Sequence, residues 1–176
     1  MRSAGLDAVG AERRLLVSER LPDHSVRLFQ AAYALSGSRE DAEDLVQETF
    51  ARVLRRPRWI RQGAGEAAYL MRVLRNVWYD TLRSRKACPE LPMEPAHVEF
   101  AADGRVDPEV LAEARAAYAA IATLSAPLRE TIVAVDIVGL SYKEAARALR
   151  TREGTIMSRL YQARRKVAQI MEGGQR

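Results

Sequence analysis

Apolar residues recur at helical spacing in two long blocks of this chain, and the stretch between the blocks carries no period. In the first block Phe29, Ala32 and Tyr33 fit one face of a helix. Ala42, Leu45, Val46, Thr49, Phe50, Val53 and Leu54 then repeat at three- and four-residue steps. Ser38 is placed to cap this second helix, and Glu40, Asp41, Glu43 and Asp44 fall in its first turns, where the helix dipole favours anions. Pro57 ends it, and Gly63 and Gly65 break the loop that follows. A third helix is expected from about Glu66 to Lys86 on a stripe of Ala67, Leu70, Met71, Leu74, Val77, Trp78 and Leu82.

The period is lost over residues 87–107, "ACPELPMEPAHVEFAADGRVD", where Pro89, Pro92 and Pro95 favour an extended strip. A stretch this long without a period separates two domains rather than joining elements of one. Helices resume at Pro108 behind Asp107, with Leu111, Ala114, Tyr118 and Ile121 on one face. Ser125 then caps a helix opened by Ala126 and Pro127 and carrying Leu128, Ile132 and Val135, and Gly139 stops it. Ser141 with Glu144 has the spacing of a capping box. In "SYKEAARALRTREGTIMSRLYQARRKV", Ser141–Val167, the inner face Tyr142, Ala145, Ala146 and Leu149 meets Ile156, Leu160, Ala163, Val167 and, beyond, Ile170 across a short turn. No stretch alternates as a strand would. The expected fold is all-α: a leader over 1–24 with at most a short helix near Glu12–Arg20, a three-helix bundle over 25–86, the linker 87–107, and a four-helix helix-turn-helix domain over 108–172.

Charge changes this picture by where it sits. The formal net charge is +5 over 176 residues, and Lys occurs only at 86, 143 and 166, so the cations are nearly all planar guanidinium groups suited to phosphate. Residues 52–86 hold ten Arg and Lys against Glu66 and Asp80, and residues 141–176 hold nine against Glu144, Glu153 and Glu172. The linker and the start of the second helix are acidic instead. Two separate basic helical regions are what a two-point DNA binder carries.

The same residues argue against other classes. His24 and His97 fall in expected loops far apart, and Cys88, the one cysteine, has no evident base beside it. There is no nucleophile elbow or phosphate-cradling glycine loop, so no enzyme and no cofactor are expected. A single cysteine, no run approaching the ~18 apolar residues of a membrane span and no signal-peptide stretch point to the cytoplasm, with no membrane insertion.

Within the helix-turn-helix, Gly154 and Thr155 open the second helix, whose backbone N–H groups can meet a phosphate. Its outward face carries Met157, Ser158, Tyr161, Gln162 and Arg165, which can reach base edges in a major groove. Arg152, Arg159, Arg164 and Lys166 are better placed for phosphates, which position without specifying.

Three stretches together resemble the extracytoplasmic-function (ECF) sigma factors, group IV of the sigma-70 family: "SREDAEDLVQETFARVLRR", "AYLMRVLRNVWYDTLRSRK" and the helix-turn-helix. The likeness covers about 28–86 and 115–168. It implies region 2, docking on the β′ clamp helices of core RNA polymerase and opening the −10 element, then region 4, reading the −35 element beside the β flap. It assigns polymerase docking to Asp41, Asp44, Leu45, Gln47, Glu48 and Phe50. No metal is expected at Asp41, Asp44 and Glu48, because no His is near and one helix face seldom completes a hard-cation shell. The likeness assigns −10 DNA to Arg72, Asn76, Tyr79, Asp80 and Arg83, where amide and carboxylate can bond exposed bases and the aromatic can stack. Trp59 lies where the family pockets a flipped-out base, with a core anchor as the other reading, whereas Trp78 lies on the apolar stripe and belongs to the core. The −35 set is Arg152, Thr155, Met157, Ser158, Arg159, Tyr161, Gln162 and Arg165.

The resemblance also implies promoter DNA and an anti-sigma factor as partners, and a linker threaded through the polymerase, with a solvated tether as the other reading of that linker. The alternative is a stand-alone regulator that binds palindromic DNA as a dimer. The chain departs from many ECF members at three points: Arg150 replaces the usual Gly before the turn, Met157 replaces an Arg, and Gln162 replaces a basic residue. Met157 offers an apolar contact, for instance to a thymine methyl, in place of a bidentate guanine contact.

Overall fold

The computed structural model describes residues 14–16, 20–56, 59–61, 64–87 and 107–173. Its body consists, among the described residues, of seven α-helices: α1 Leu21–Ser36, α2 Arg39–Arg55, α3 Ala64–Ala87, α4 Pro108–Thr123, α5 Ala126–Ile132, α6 Tyr142–Leu149 and α7 Glu153–Gly173. Val133–Ile137 prolongs α5 as a wider π-type turn. The helical expectation holds for this body. The leader differs: β1, Arg14–Leu16, pairs antiparallel with β2, Trp59–Arg61, so that Leu15 lies opposite Ile60. The segment expected at most as a short helix is extended. Three residues are too few to show an alternation, and the partner lies beyond two helices.

Most helix ends follow from local chemistry. Pro22 in the first turn lets α1 start at Leu21, earlier than its apolar period suggests, and this puts His24 on a helix rather than in a loop. Gly37 closes α1 at φ 77°, its N–H bonded to the Tyr33 carbonyl at 2.8 Å. Ser38 Oγ accepts from the Asp41 N–H and Asp107 Oδ1 from the Glu109 N–H, as expected of caps. Ser125 precedes α5 without a side-chain cap bond, and Pro127 in the first turn removes one of the donors a cap would satisfy. The Ser141–Glu144 capping box is complete in both directions. Arg150 ends α6 at φ 55°, the left-handed region that favours glycine.

The two helical units share one apolar core. Leu35, Leu70, Met71 and Leu74 of the first continue into Val133, Leu149 and Ile156 of the second. α3 lies against α6, and α1 against α4 and the π-type turn. Tyr33 and Tyr118 meet edge to face with ring centroids 5.5 Å apart.

Polar groups cross this seam at Glu130 and at Arg129. The Glu130 carboxylate, on α5 and 3% exposed, accepts Arg75 Nε at 2.7 Å and the Tyr79 hydroxyl, both from α3. Its neighbour Arg129 donates to the carbonyls of Leu35 at 2.8 Å, Leu124 at 3.0 Å and Ala122. One planar guanidinium thereby satisfies carbonyls at the C-terminal ends of both α1 and α4, groups a helix leaves unpaired. Burial pushes its pKa below the usual value.

Three residues expected on inner faces are exposed. Leu54 and Ile170 lie in the last turns of α2 and α7. Tyr142, at the first position of α6, opens toward α7's outer face. At helix ends the neighbouring element no longer covers the whole apolar stripe.

Two substitutions should move stability in opposite directions. Replacing Glu130 with Ala should cost roughly 3 kcal/mol, since it strands the Arg75 charge and the Tyr79 hydroxyl in the seam. Replacing Arg150 with Gly should stabilise by about 1 kcal/mol through relief of the left-handed backbone. Urea unfolding followed by circular dichroism measures both; an Arg150→Gly midpoint at or below that of the parent would mean the turn is not strained.

Candidate nucleic-acid and polymerase interface

The acids of α2 do not stand alone. Asp41 is held in a two-pronged pair by Arg85 of α3, one bond at 2.9 Å. Glu48 takes Arg52 Nε at 2.7 Å and Arg55 Nη2 at 3.2 Å along its own helix. Asp44 and Gln47 are exposed, and Phe50 is half-buried against the core. Leu45 is buried, so it supports this surface from beneath rather than presenting its side chain outward. The outward set is therefore Asp44 and Gln47, flanked by the arginine-paired Asp41 and Glu48.

On α3, Arg72, Asn76, Asp80 and Arg83 form one strip, as their spacing requires. Asn76 and Arg83 are exposed, and the Arg72 guanidinium stands 5.7 Å from the Tyr69 ring centroid. Asp80 is tied on both sides: Arg52 Nη1 reaches it at 2.6 Å, and Arg83 bonds its other oxygen. The bond from Arg52 is the chief reason that the Asp80 carboxyl lies below its ordinary pKa, and Arg52 lowers Glu48 in the same way. Tyr79 leaves the strip. Its hydroxyl is turned into the seam onto Glu130, and burial, then that bond, raises its pKa. Trp78 is buried, as its place on the apolar stripe predicts. Trp59 takes its position in β2, and its side chain lies outside the described residues, as do Cys88, His97 and the linker from 88 to 106.

In the C-terminal unit, α6 and α7 meet through Ala145, Ala146, Leu149, Ile156, Leu160 and Ala163, all buried. The short turn between them runs through Arg150, Thr151 and the exposed Arg152, and Thr155 N–H closes the first turn of α7 on the Arg152 carbonyl. Met157, Ser158, Tyr161, Gln162, Arg165 and Lys166 face solvent together; Thr155 and Arg159 are half-covered. Arg164 departs from the phosphate role expected of it. It is paired in two-pronged fashion with Asp136 of the π-type turn, at 2.9 and 2.6 Å.

Two surfaces thus carry the DNA-type chemistry, a polar strip on α3 and the outer face of a helix-turn-helix. Residues 23–88 match the Sigma-70 region 2 family, and residues 114–167 match Sigma-70 region 4. The chain is 30% identical to the ECF RNA polymerase sigma factor SigM of Mycobacterium tuberculosis, over 84% of its own length and 73% of the relative's. It is 33% identical to EcfG of Rhodopseudomonas palustris, with coverage of 84% and 79%. The chain belongs to the ECF sigma factors. This sigma factor is also 33% identical to SigE of Mycolicibacterium smegmatis over 94% of its length, though it spans only 65% of that relative. Among solved structures it resembles the sigma factor RpoE of Bartonella quintana in complex with the anti-sigma factor NepR, at TM-score 0.70 and 26% identity, covering 88% of this chain and 98% of that one. It also resembles CnrH in complex with the cytosolic domain of CnrY, at TM-score 0.58 and 25% identity, covering 89% and 88%.

The sequence reading missed Arg75, Arg129, Glu130 and Asp136 of this sigma factor. Each is a charged residue whose partner lies on another helix, and no local pattern announces such a pair. The expected strip on α3 is present without Tyr79, and the helix-turn-helix face gains Tyr142. No helix among the described residues is long and apolar enough to cross a membrane.

Replacing Arg52 with Ala should raise the titration midpoints of Asp80 and Glu48 toward the ordinary carboxylate range near ~4. Because their folded pKa values are depressed, these carboxylates stabilise the fold above the unfolded pKa, and the contribution is lost as pH falls through the folded one. The stability gap between parent and variant should therefore be present at neutral pH and close in acid. Side-chain carboxyl NMR titration reads the midpoints; unmoved midpoints would show that Arg52 does not hold the pair.

Proposed function

We propose that this ECF sigma factor directs core RNA polymerase to specific promoters, using α3 at the −10 element and α7 at the −35 element. The observation that carries the reading is the pairing of two exposed polar-basic helix faces with the region 2 and region 4 matches, in that order along the chain. On α3, Asn76 supplies a donor and an acceptor to an unpaired base, while Arg72 and Arg83 hold the backbone of the opened strand. Asp80, fixed between Arg52 and Arg83, presents its carboxylate in a set direction and adds an acceptor for an exposed amino group. Trp59 stays in this proposal as a candidate for the flipped base.

Asp44 and Gln47, with Asp41, Glu48 and Phe50 at the margins, form the docking face for the β′ clamp helices. A face of exposed acid and amide groups suits a basic partner and speeds encounter more than it adds affinity. On α7, Met157, Ser158, Tyr161, Gln162 and Arg165 meet base edges, and Arg152, Thr155 and Arg159 sit against phosphates near the helix start. The β flap is the polymerase element placed beside this unit. The factor performs no chemistry of its own and works in the cytoplasm, where the polymerase is. An anti-sigma factor is the proposed regulator, supported by the RpoE and CnrH complexes that the fold resembles. A dimeric regulator on palindromic sites would leave the polar strip of α3 without a task.

Run-off transcription with purified core polymerase and a promoter selected from random DNA tests the reading. Specific transcript should depend on the factor. Its absence, with tight binding of palindromes by the factor alone, would overturn the proposal. In the same assay Asn76→Ala should slow promoter opening about tenfold, the loss of one base contact, while leaving holoenzyme assembly intact. Failed assembly instead would place Asn76 on the polymerase side.

A further inference from the structure

Large apolar side chains that remain in solvent are few among the described residues, and Tyr142, Met157 and Tyr161 form a cluster of them at 40%, 55% and 69% exposure. They surround a cleft of about 400 Å³ between the start of α6 and the outer face of α7. Leu160, 2% exposed, forms its floor, and the stems of Arg164 and Arg165 form its side. Met157 and Tyr161 are one helical turn apart and so stand over the same strip of α7. Tyr142 comes from the other helix. Arg164, on one side of the cleft, is paired with Asp136.

An apolar cleft on a surface otherwise rich in cations needs an occupant that is apolar and carries negative charge around it. Arg164 and Arg165 in its lining are exposed, and Lys166 is exposed on the same helix. The major groove of duplex DNA has this character: phosphates line its rims, and its floor offers one apolar group, the 5-methyl of thymine. We propose that Tyr142, Met157 and Tyr161 form a notch that reads thymine methyl groups in the −35 element, so that specificity is shared between α6 and α7 rather than held by α7 alone. The inference rests on the reading of α6–α7 as the −35 reader. It adds Tyr142, a residue outside the recognition helix, and it fixes the chemical group being read.

The test removes that group alone. A promoter is selected from random DNA with reconstituted holoenzyme, and each thymine of its −35 element, on either strand, is replaced in turn by deoxyuridine, which lacks only the 5-methyl. Binding should fall about fourfold at one or two neighbouring positions, the effect of losing one buried methyl. In holoenzyme carrying Tyr142→Ala or Met157→Ala the same replacement should change binding less than twofold, and circular dichroism confirms that the variants fold. If the −35 region is protected from nuclease yet deoxyuridine has no effect anywhere in it, or if the selected −35 element contains no thymine, the notch does not read methyl groups although α7 reads DNA. If the −35 region is not protected at all, the reading of α6–α7 fails and the notch fails with it.

Discussion

A carboxylate removed from water governs how the two halves of this protein meet. Glu130 is 3% exposed and has to find charged or hydrogen-bonding partners where it is buried, because an unpaired buried charge is strongly destabilising. Arg75 and Tyr79 provide them, both on α3 and four residues apart, so they project from one face of that helix. This requirement fixes the rotation of α3 about its axis relative to α5. Arg129, one residue earlier, fixes the approach of α1 and α4 by bonding the ends of both. The apolar core then fills in around two polar anchors.

The rotation of α3 has consequences for its other faces. With Leu70, Met71, Leu74, Val77 and Trp78 in the core and Arg75 and Tyr79 on the seam, the remaining surface is the strip of Arg72, Asn76, Asp80 and Arg83. The strip is stiffened from the side by Arg52 of α2, which bonds both Glu48 and Asp80. A helix that serves the core, an inter-unit seam and a polar outer surface has little freedom left in its sequence. The chain assigns each role at a separate angular position.

The helix-turn-helix shows a similar division of labour. Small Ala145 and Ala146 let α6 and α7 come close, and the capping box sets where α6 begins. The turn itself is bought with strain, since Arg150 occupies a conformation that glycine would adopt freely. Arg164 is paired with Asp136, whereas Arg165 lines the apolar cleft as an exposed cation.

What the sequence determined by itself was local or periodic. The caps at Ser38, Asp107 and Ser141, the helical faces, the order of the two units and the family resemblance were all legible, because each depends on residues within a turn or two of one another. Most of the α3 strip was legible for the same reason. Only the tertiary structure decided which side chains meet across elements: the β1–β2 pair, the burial of Glu130, the departure of Tyr79 from the strip, the capture of Arg164, and the exposure of Tyr142, Leu54 and Ile170. A helical period states which residues share a face. It does not state which neighbour covers that face or how far along the helix the cover extends, and burial and charge pairing are set by that neighbour.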